Sequence, residues 1–126
     1  MSIRGIRGAT TVSTNDASAI LEATKELLLS ILKANDALEP EDIGSVLFTM
    51  TLDLDAAYPA KAARQLGWIN VPLICAQEIP VPEALPLCIR VLLDWNTDLP
   101  QAAIHHIYLR EAVALRPDIA APLKRK

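Results

Sequence analysis

The chain has 126 residues, 52% hydrophobic and 21% charged, with a formal net charge of -3. That length and balance suit one globular domain with one core and exclude a disordered chain. The acidic balance argues against a nucleic-acid partner, which is usually met by a basic stripe.

Residues 2–12, rich in Ile, Thr and Val, read as a first strand. Its tandem Ile-Arg-Gly-Ile-Arg-Gly puts Arg4 and Arg7 on opposite strand faces, so at most one of them enters a given site. A helix is predicted from Asp16 to Ala34, because Ile20, Leu21, Thr24, Leu27, Leu28, Ile31 and Leu32 recur at helical spacing. Thr14 or Asn15 is its expected cap, and Asp16 suits the positive end of its dipole. Glu39 to Asp42 reads as a turn, Ile43 to Thr51 as a second strand, and Leu52 to Asp55 as an acidic loop. A short helix follows, with Pro59 suited to its first turn and Gly67 to its C-terminal cap. Lys61 and Arg64 share one face of it.

Val71 to Glu78 reads as a third strand, which Pro72 confines to an edge or to the strand start. Pro80, Pro82 and Pro86 stiffen the path to a fourth strand, Leu85 to Leu93, whose neighbours are apolar on both faces. Ile104 to Arg110 is the predicted fifth strand. Ala112 to Leu115 is read as a helical turn closed by Pro117, and residues from about 119 to 126 as a mobile tail. The expected fold class is α+β: one domain over 1–126, with a mixed sheet of about five strands packed on one long helix plus a short one.

The N-terminus lacks the apolar core of a signal peptide, and no apolar run has the length of a membrane span. Cys75 and Cys88 sit in apolar segments without metal-type spacing, so both are expected to be buried thiols in a reducing cytoplasm. No membrane partner is expected.

Arg90 is the residue that demands an explanation. A guanidinium keeps its charge, and desolvating it unpaired costs several kcal/mol, so Arg90 must meet an anion. That anion is either a protein carboxylate or a ligand. Glu78, at the end of an apolar strand, and Tyr108 are the other polar groups in apolar surroundings. His105 and His106 are adjacent, hence on opposite faces of a strand, and receive no role. There is no Gly-rich phosphate loop and no nucleophile–base pattern. Such a set suits holding a small polyanion.

The chain resembles the monofunctional chorismate mutases of the trimeric, pseudo-α/β-barrel class. The resemblance is carried by Ile-Arg-Gly-Ile-Arg-Gly-Ala-Thr-Thr (3–11), Tyr-Pro-Ala-Lys-Ala-Ala-Arg (58–64), Gly-Trp (67–68) and Val-Pro-Leu-Ile-Cys-Ala-Gln-Glu (71–78). It continues in Cys-Ile-Arg-Val (88–91), Thr-Asp-Leu-Pro-Gln (97–101), His-Ile-Tyr-Leu (106–109) and Ala-Val-Ala-Leu-Arg-Pro-Asp (112–118). It implies an intramolecular Claisen rearrangement of chorismate to prephenate, without covalent intermediate, metal or cofactor. It also implies a homotrimer with active sites between subunits.

By that resemblance Arg90 donates to the breaking ether oxygen and reaches the side-chain carboxylate, which Arg7 and Tyr108 also hold. Glu78, with the backbone near Cys75, would orient the ring hydroxyl. Leu73, Ile74 and Cys75 would line the wall. Tyr58, Ala60, Lys61 and Arg64 would come from the neighbouring side of a subunit interface, and Leu115 and Arg116 would approach the site mouth. Tyr58 stands where the family pattern has phenylalanine, and Ile74 where threonine is common. A trimeric enzyme of the imine-deaminase type, or a non-catalytic binder of an aromatic-pathway acid, would also account for an arginine at an interface.

Overall fold

A computed structural model describes residues 2–116, so Pro117 and the expected tail lie outside the described residues. The elements run β1 (Ile3–Thr11), α1 (Ala17–Ala34), a 3-10 turn (Pro40–Asp42), β2 (Ile43–Met50), α2 (Ala60–Gln65), β3 (Leu73–Gln77) and β4 (Cys88–Asn96). A second 3-10 turn (Gln101–Ala103), β5 (Ile107–Tyr108) and a C-terminal 3-10 helix (Arg110–Leu115) complete them. The five strands form one sheet in the order β3-β2-β4-β1-β5. β4 is antiparallel to β1 and β2, whereas β3 and β5 add parallel edges, so the sheet is mixed.

Alternation along the strands gives the sheet two unlike faces. One face is dry: Ile6, Phe48, Val91, Leu93 and Trp95 are buried against Leu27, Leu28 and Ile31 of α1. Gly8 lets the helix come close, since a methyl there would lie 3.0 Å from both Ile31 Cδ1 and Val91 Cγ1. The other face is covered only at one end. There Ala112 of the C-terminal 3-10 helix buries Ala9 and Cys88, with Tyr108 and Leu115 packed alongside.

This arrangement corrects several expectations. The fourth strand is not buried on both faces, and it begins at Cys88 rather than Leu85. Leu92 stays 44% exposed, since among the described residues no element covers it. Leu87 has φ 53 and its N–H donates to the Asp53 carboxylate, at 3.0 Å to Oδ2, rather than to a strand. The Cys88 N–H then meets Thr51 Oγ1 at 3.0 Å. The acidic loop is thus the brace that starts β4.

The fifth strand is two residues, not seven, because the chain before it is held by side chains and Arg110 turns away with φ 54. The helix cap is Asp16, whose Oδ2 accepts from the Ala19 N–H at 3.1 Å. Asn15 instead holds the acidic loop, donating to Asp55 Oδ1 at 2.8 Å. β3 is an edge strand, as Pro72 requires, though shorter than expected at both ends. Cys75 is half-buried and Cys88 fully buried.

The helix–sheet contact at Gly8 has no slack. Gly8→Ala should lower stability by about 1–3 kcal/mol through overpacking, read as a lower thermal midpoint with the fold retained by circular dichroism.

Candidate active site

The open face of the sheet places its polar groups by register. One rung runs Ala76, Thr49, Arg90, Ala9 and Tyr108 across all five strands. The next runs Ile74, Leu47, Leu92 and Arg7. Adjacent rungs on one face are two residues apart along each strand, which brings Arg7, Arg90 and Tyr108 together. They line a cavity of about 320 Å³ with Leu47, Thr49 and Leu92, and with Leu115 and Arg116 at the C-terminal side. Arg4, of opposite parity, leaves the site and donates through Nε to the Leu99 carbonyl at 2.8 Å.

Arg90 is half-exposed and paired. Its Nε lies 3.1 Å from Glu78 Oε2, the side chains being 44% and 16% exposed. The same carboxylate oxygen accepts the Thr49 hydroxyl at 2.6 Å. The Glu78 backbone is fixed as well, its N–H donating to the Met50 carbonyl at 2.9 Å. The pairing engages Nε of a side chain that also lines the cavity and hydrogen-bonds the Cys88 thiol. The pair is open enough to water that its own contribution to stability is small. What it supplies is direction. Thr49 was invisible in the sequence as a site residue, because only the β2–β4 register puts it opposite Arg90.

The remaining candidates fall elsewhere. Tyr58, Ala60, Arg64, Leu73, Ile74 and Cys75 line a second cavity, also about 320 Å³, between α2 and the outer edge of the sheet. Lys61 is exposed one residue into α2. Within one chain the predicted set is therefore two groups: Arg7, Glu78, Arg90, Tyr108, Leu115 and Arg116 on one side, and the β3–α2 group on the other. Leu73 and Cys75 pack partly on the main core, while Ile74 points out and is 64% exposed.

Two titratable groups are perturbed. Burial pushes the Cys88 thiol up from 9.0 to about 11; nearby Arg90 pulls it down, while Glu78 and Asp53 add to the rise. Cys88 is thus a thiol at neutral pH and no nucleophile. His106 is held below 6.5, first by burial, then by Arg7, Arg116 and His105. Among the described residues no group of three or more His, Cys, Asp or Glu forms a metal-type cluster, and no helix is long and apolar enough to cross a membrane.

Two arginines and a tyrosine on one sheet face, beside a buried thiol, are suited to hold a small anion. The comparisons name the family. A family model described as chorismate mutase type I matches residues 3–119. The chain is 56% identical over 117 residues to the chorismate mutase AroH of Thermus thermophilus, spanning 93% of this chain and 96% of that protein. It is 49% identical over 121 residues to the AroH of Bacillus subtilis (strain 168), spanning 95% and 94%. A solved chorismate mutase from Clostridium thermocellum superposes with a TM-score of 0.85 at 49% identity, over 87% of this chain and 97% of that one. The chain belongs to the chorismate mutase type I family, and the imine-deaminase reading falls with that assignment.

The Cys88 thiol offers a check on the burial of this face. At pH 7 about one molecule in 10⁴ would carry the thiolate, so Cys88 should resist thiol reagents in the native protein and react on denaturation. Rapid native labelling at Cys88, located by mass spectrometry, would show the C-terminal cover to be open.

Proposed function

We propose that this protein is a chorismate mutase, an isomerase that rearranges chorismate to prephenate on the route to phenylalanine and tyrosine. The observation that carries this reading is the convergence of Arg7, Arg90 and Tyr108 on one cavity in a chain of this family. Chorismate brings two carboxylates and a flexible side chain. Holding its compact, chair-like conformer removes part of the barrier before any bond changes. As the C–O bond breaks, negative charge grows on the ether oxygen. A donor already aimed there stabilises the transition state more than the ground state.

Arg90 is that donor. Glu78 and Thr49 hold its Nε edge, so its terminal nitrogens need not reorganise as charge develops. Arg90 also reaches the side-chain carboxylate, which Arg7 and Tyr108 grip from β1 and β5. The second oxygen of Glu78 accepts and orients the ring hydroxyl, with the backbone near Cys75. Leu115 and Arg116 close the mouth. The residues supply position and charge, and no protein atom is transferred to the substrate.

The second group completes the site from a neighbouring subunit. Tyr58, Ala60, Lys61 and Arg64, with the wall of Leu73, Ile74 and Cys75, meet the Arg90 half of the next chain. Three copies of this one domain then close a pseudo-α/β barrel with three such sites. The exposed apolar row supports this reading: Ile74, Leu47 and Leu92 lie uncovered in the single chain, the kind of patch that marks a contact surface. The tyrosine hydroxyl of Tyr58 then sits at the rim, and Ile74 adds bulk in place of a hydroxyl. The enzyme is assigned to the cytoplasm.

Purified protein mixed with chorismate should produce prephenate, and turnover no faster than the spontaneous reaction would sink the proposal. Arg90→Lys keeps the charge but loses the planar fork. Its kcat should fall by at least roughly 10²-fold, one preorganised donor being worth about 3–4 kcal/mol. An unchanged kcat would make Arg90 structural.

The shared site has its own test. Arg90→Ala damages one half and Arg64→Ala the other. In a mixed trimer one site of three draws both intact halves, and about three-quarters of randomly co-refolded trimers are mixed, so an equal mixture should recover about a quarter of wild-type kcat/KM. Recovery no better than the two parents would place each site within one chain.

A further inference from the structure

The segment that delivers Tyr108, Leu115 and Arg116 to the cavity enters it with little backbone pairing. β5 pairs with β1 only at Gly8–Ile107 and Ala9–Tyr108. Just before it the chain is fastened by side chains. The Asn35 carboxamide, at the end of α1, donates to the His105 carbonyl at 2.9 Å and accepts the His105 N–H at 2.9 Å. The next residue continues the anchoring from the other side: His106 Nδ1 accepts the backbone N–H of Arg7 at 2.9 Å. The imidazole takes the place of a strand carbonyl at the first rung of the β1–β5 contact.

From this geometry we propose that His106 is a positioning residue for the carboxylate end of the site, tying the strand of Arg7 to the segment of Tyr108. The inference rests on the reading that Arg7 and Tyr108 grip one substrate carboxylate. The imidazole contact is with the Arg7 backbone, and it sets the distance between the two strands that carry the grip.

The hydrogen bond also specifies a protonation state. Nδ1 accepts only when bare, so the ring is neutral with its proton on Nε2. A protonated ring has no acceptor. It would leave the Arg7 N–H without its partner and add a positive charge beside two others. The groups acting on the ring are Arg7 from β1, Arg116 just beyond the C-terminal 3-10 helix, and His105 from its own segment. Among the described residues no carboxylate acts on the ring, and Asn35 of α1 is neutral. Burial and these charges together keep the imidazole below its ordinary 6.5.

The sign follows. In the folded chain the ring resists protonation, so between the folded pKa and 6.5 the unfolded chain binds more protons. The stability that the neutral ring contributes is complete above 6.5 and is lost as pH falls through the folded value. The carboxylate grip serves ground and transition states alike, so loosening it raises KM more than it lowers kcat.

The test compares wild type, His106→Asn and His106→Leu with chorismate, from about pH 5 to about pH 8. Asparagine offers an acceptor near the Nδ1 position and does not titrate, whereas leucine offers none. Wild-type KM should rise several-fold toward the acid end. The Asn variant should keep a KM near wild type and lose that rise. The Leu variant should show the raised KM at every pH, with kcat within about two-fold of wild type. Nitrogen NMR of the wild type should show the Nε2–H ring, titrating below 6.5.

A wild-type KM in the Leu variant, the same acid rise in the Asn variant, or a ring protonated on Nδ1 would each overturn the proposal. If the Leu variant fails to fold, the Asn profile and the NMR tautomer still decide. An unchanged KM in Arg7→Ala would strike the carboxylate reading instead, and the tautomer would still report on His106.

Discussion

A charge that cannot be removed sits on the central strand of this sheet, and the protein around it is arranged to aim it. Arg90 is neither desolvated nor free. Glu78 takes one edge of the guanidinium at 3.1 Å, and Thr49 takes the same carboxylate oxygen at 2.6 Å. The two supports come from β2 and the end of β3, while Arg90 comes from β4. Three strands must therefore be in register before the arginine has a direction. An ion pair this exposed adds little to folding. Its value lies in the rotamer freedom it removes from a long side chain before a ligand arrives.

The division of labour between the faces of the sheet follows from the same strands. Alternation sends Ile89, Val91, Leu93 and Trp95 under α1 and leaves Cys88, Arg90 and Leu92 on the other side. In that second row Cys88 is sealed by the C-terminal 3-10 helix, whereas the Arg90 side chain and Leu92 are each 44% exposed. Arg90 stands at the boundary. A charge placed further in would be costly to bury, and one placed further out would be screened by water. The covering helix is itself held by Arg110, which donates to the Thr11 carbonyl at 2.9 Å and meets Glu26 of α1 at 3.0 Å.

Much of this was legible in the residues. The helical period of α1, the alternation of β1 and β2, the place of Pro72 at the start of β3 and the opposite facing of Arg4 and Arg7 all rest on local geometry, and local geometry is what a sequence carries. The motif series carried the family and the candidate residues. The misses share a different cause. The strand of Arg90 looked buried on both faces because a sequence shows that a residue is apolar without showing whether its own chain supplies the cover. The start of β4 at Cys88 depends on Asp53, from a loop that reads as merely acidic. The shortness of β5 depends on Asn35, at the far end of α1. Thr49 and His106 acquire their meaning only from strand register and a side-chain-to-backbone contact, and neither has a local signature. A protein carboxylate and a ligand are compatible partners for Arg90, since Glu78 meets Nε of a side chain that also lines the cavity.

That shared commitment bears on how quickly the site empties. Chorismate and prephenate both carry two carboxylates, so a bare arginine cluster would hold reactant and product with equal tenacity. A carboxylate resident on Arg90 weakens the pull on every visiting anion by the same amount. The charge on the ether oxygen is different: in the proposed reaction it exists only while the bond is breaking, so it holds neither reactant nor product in place. By lessening the net positive charge at Arg90, Glu78 works against slow release of either dicarboxylate.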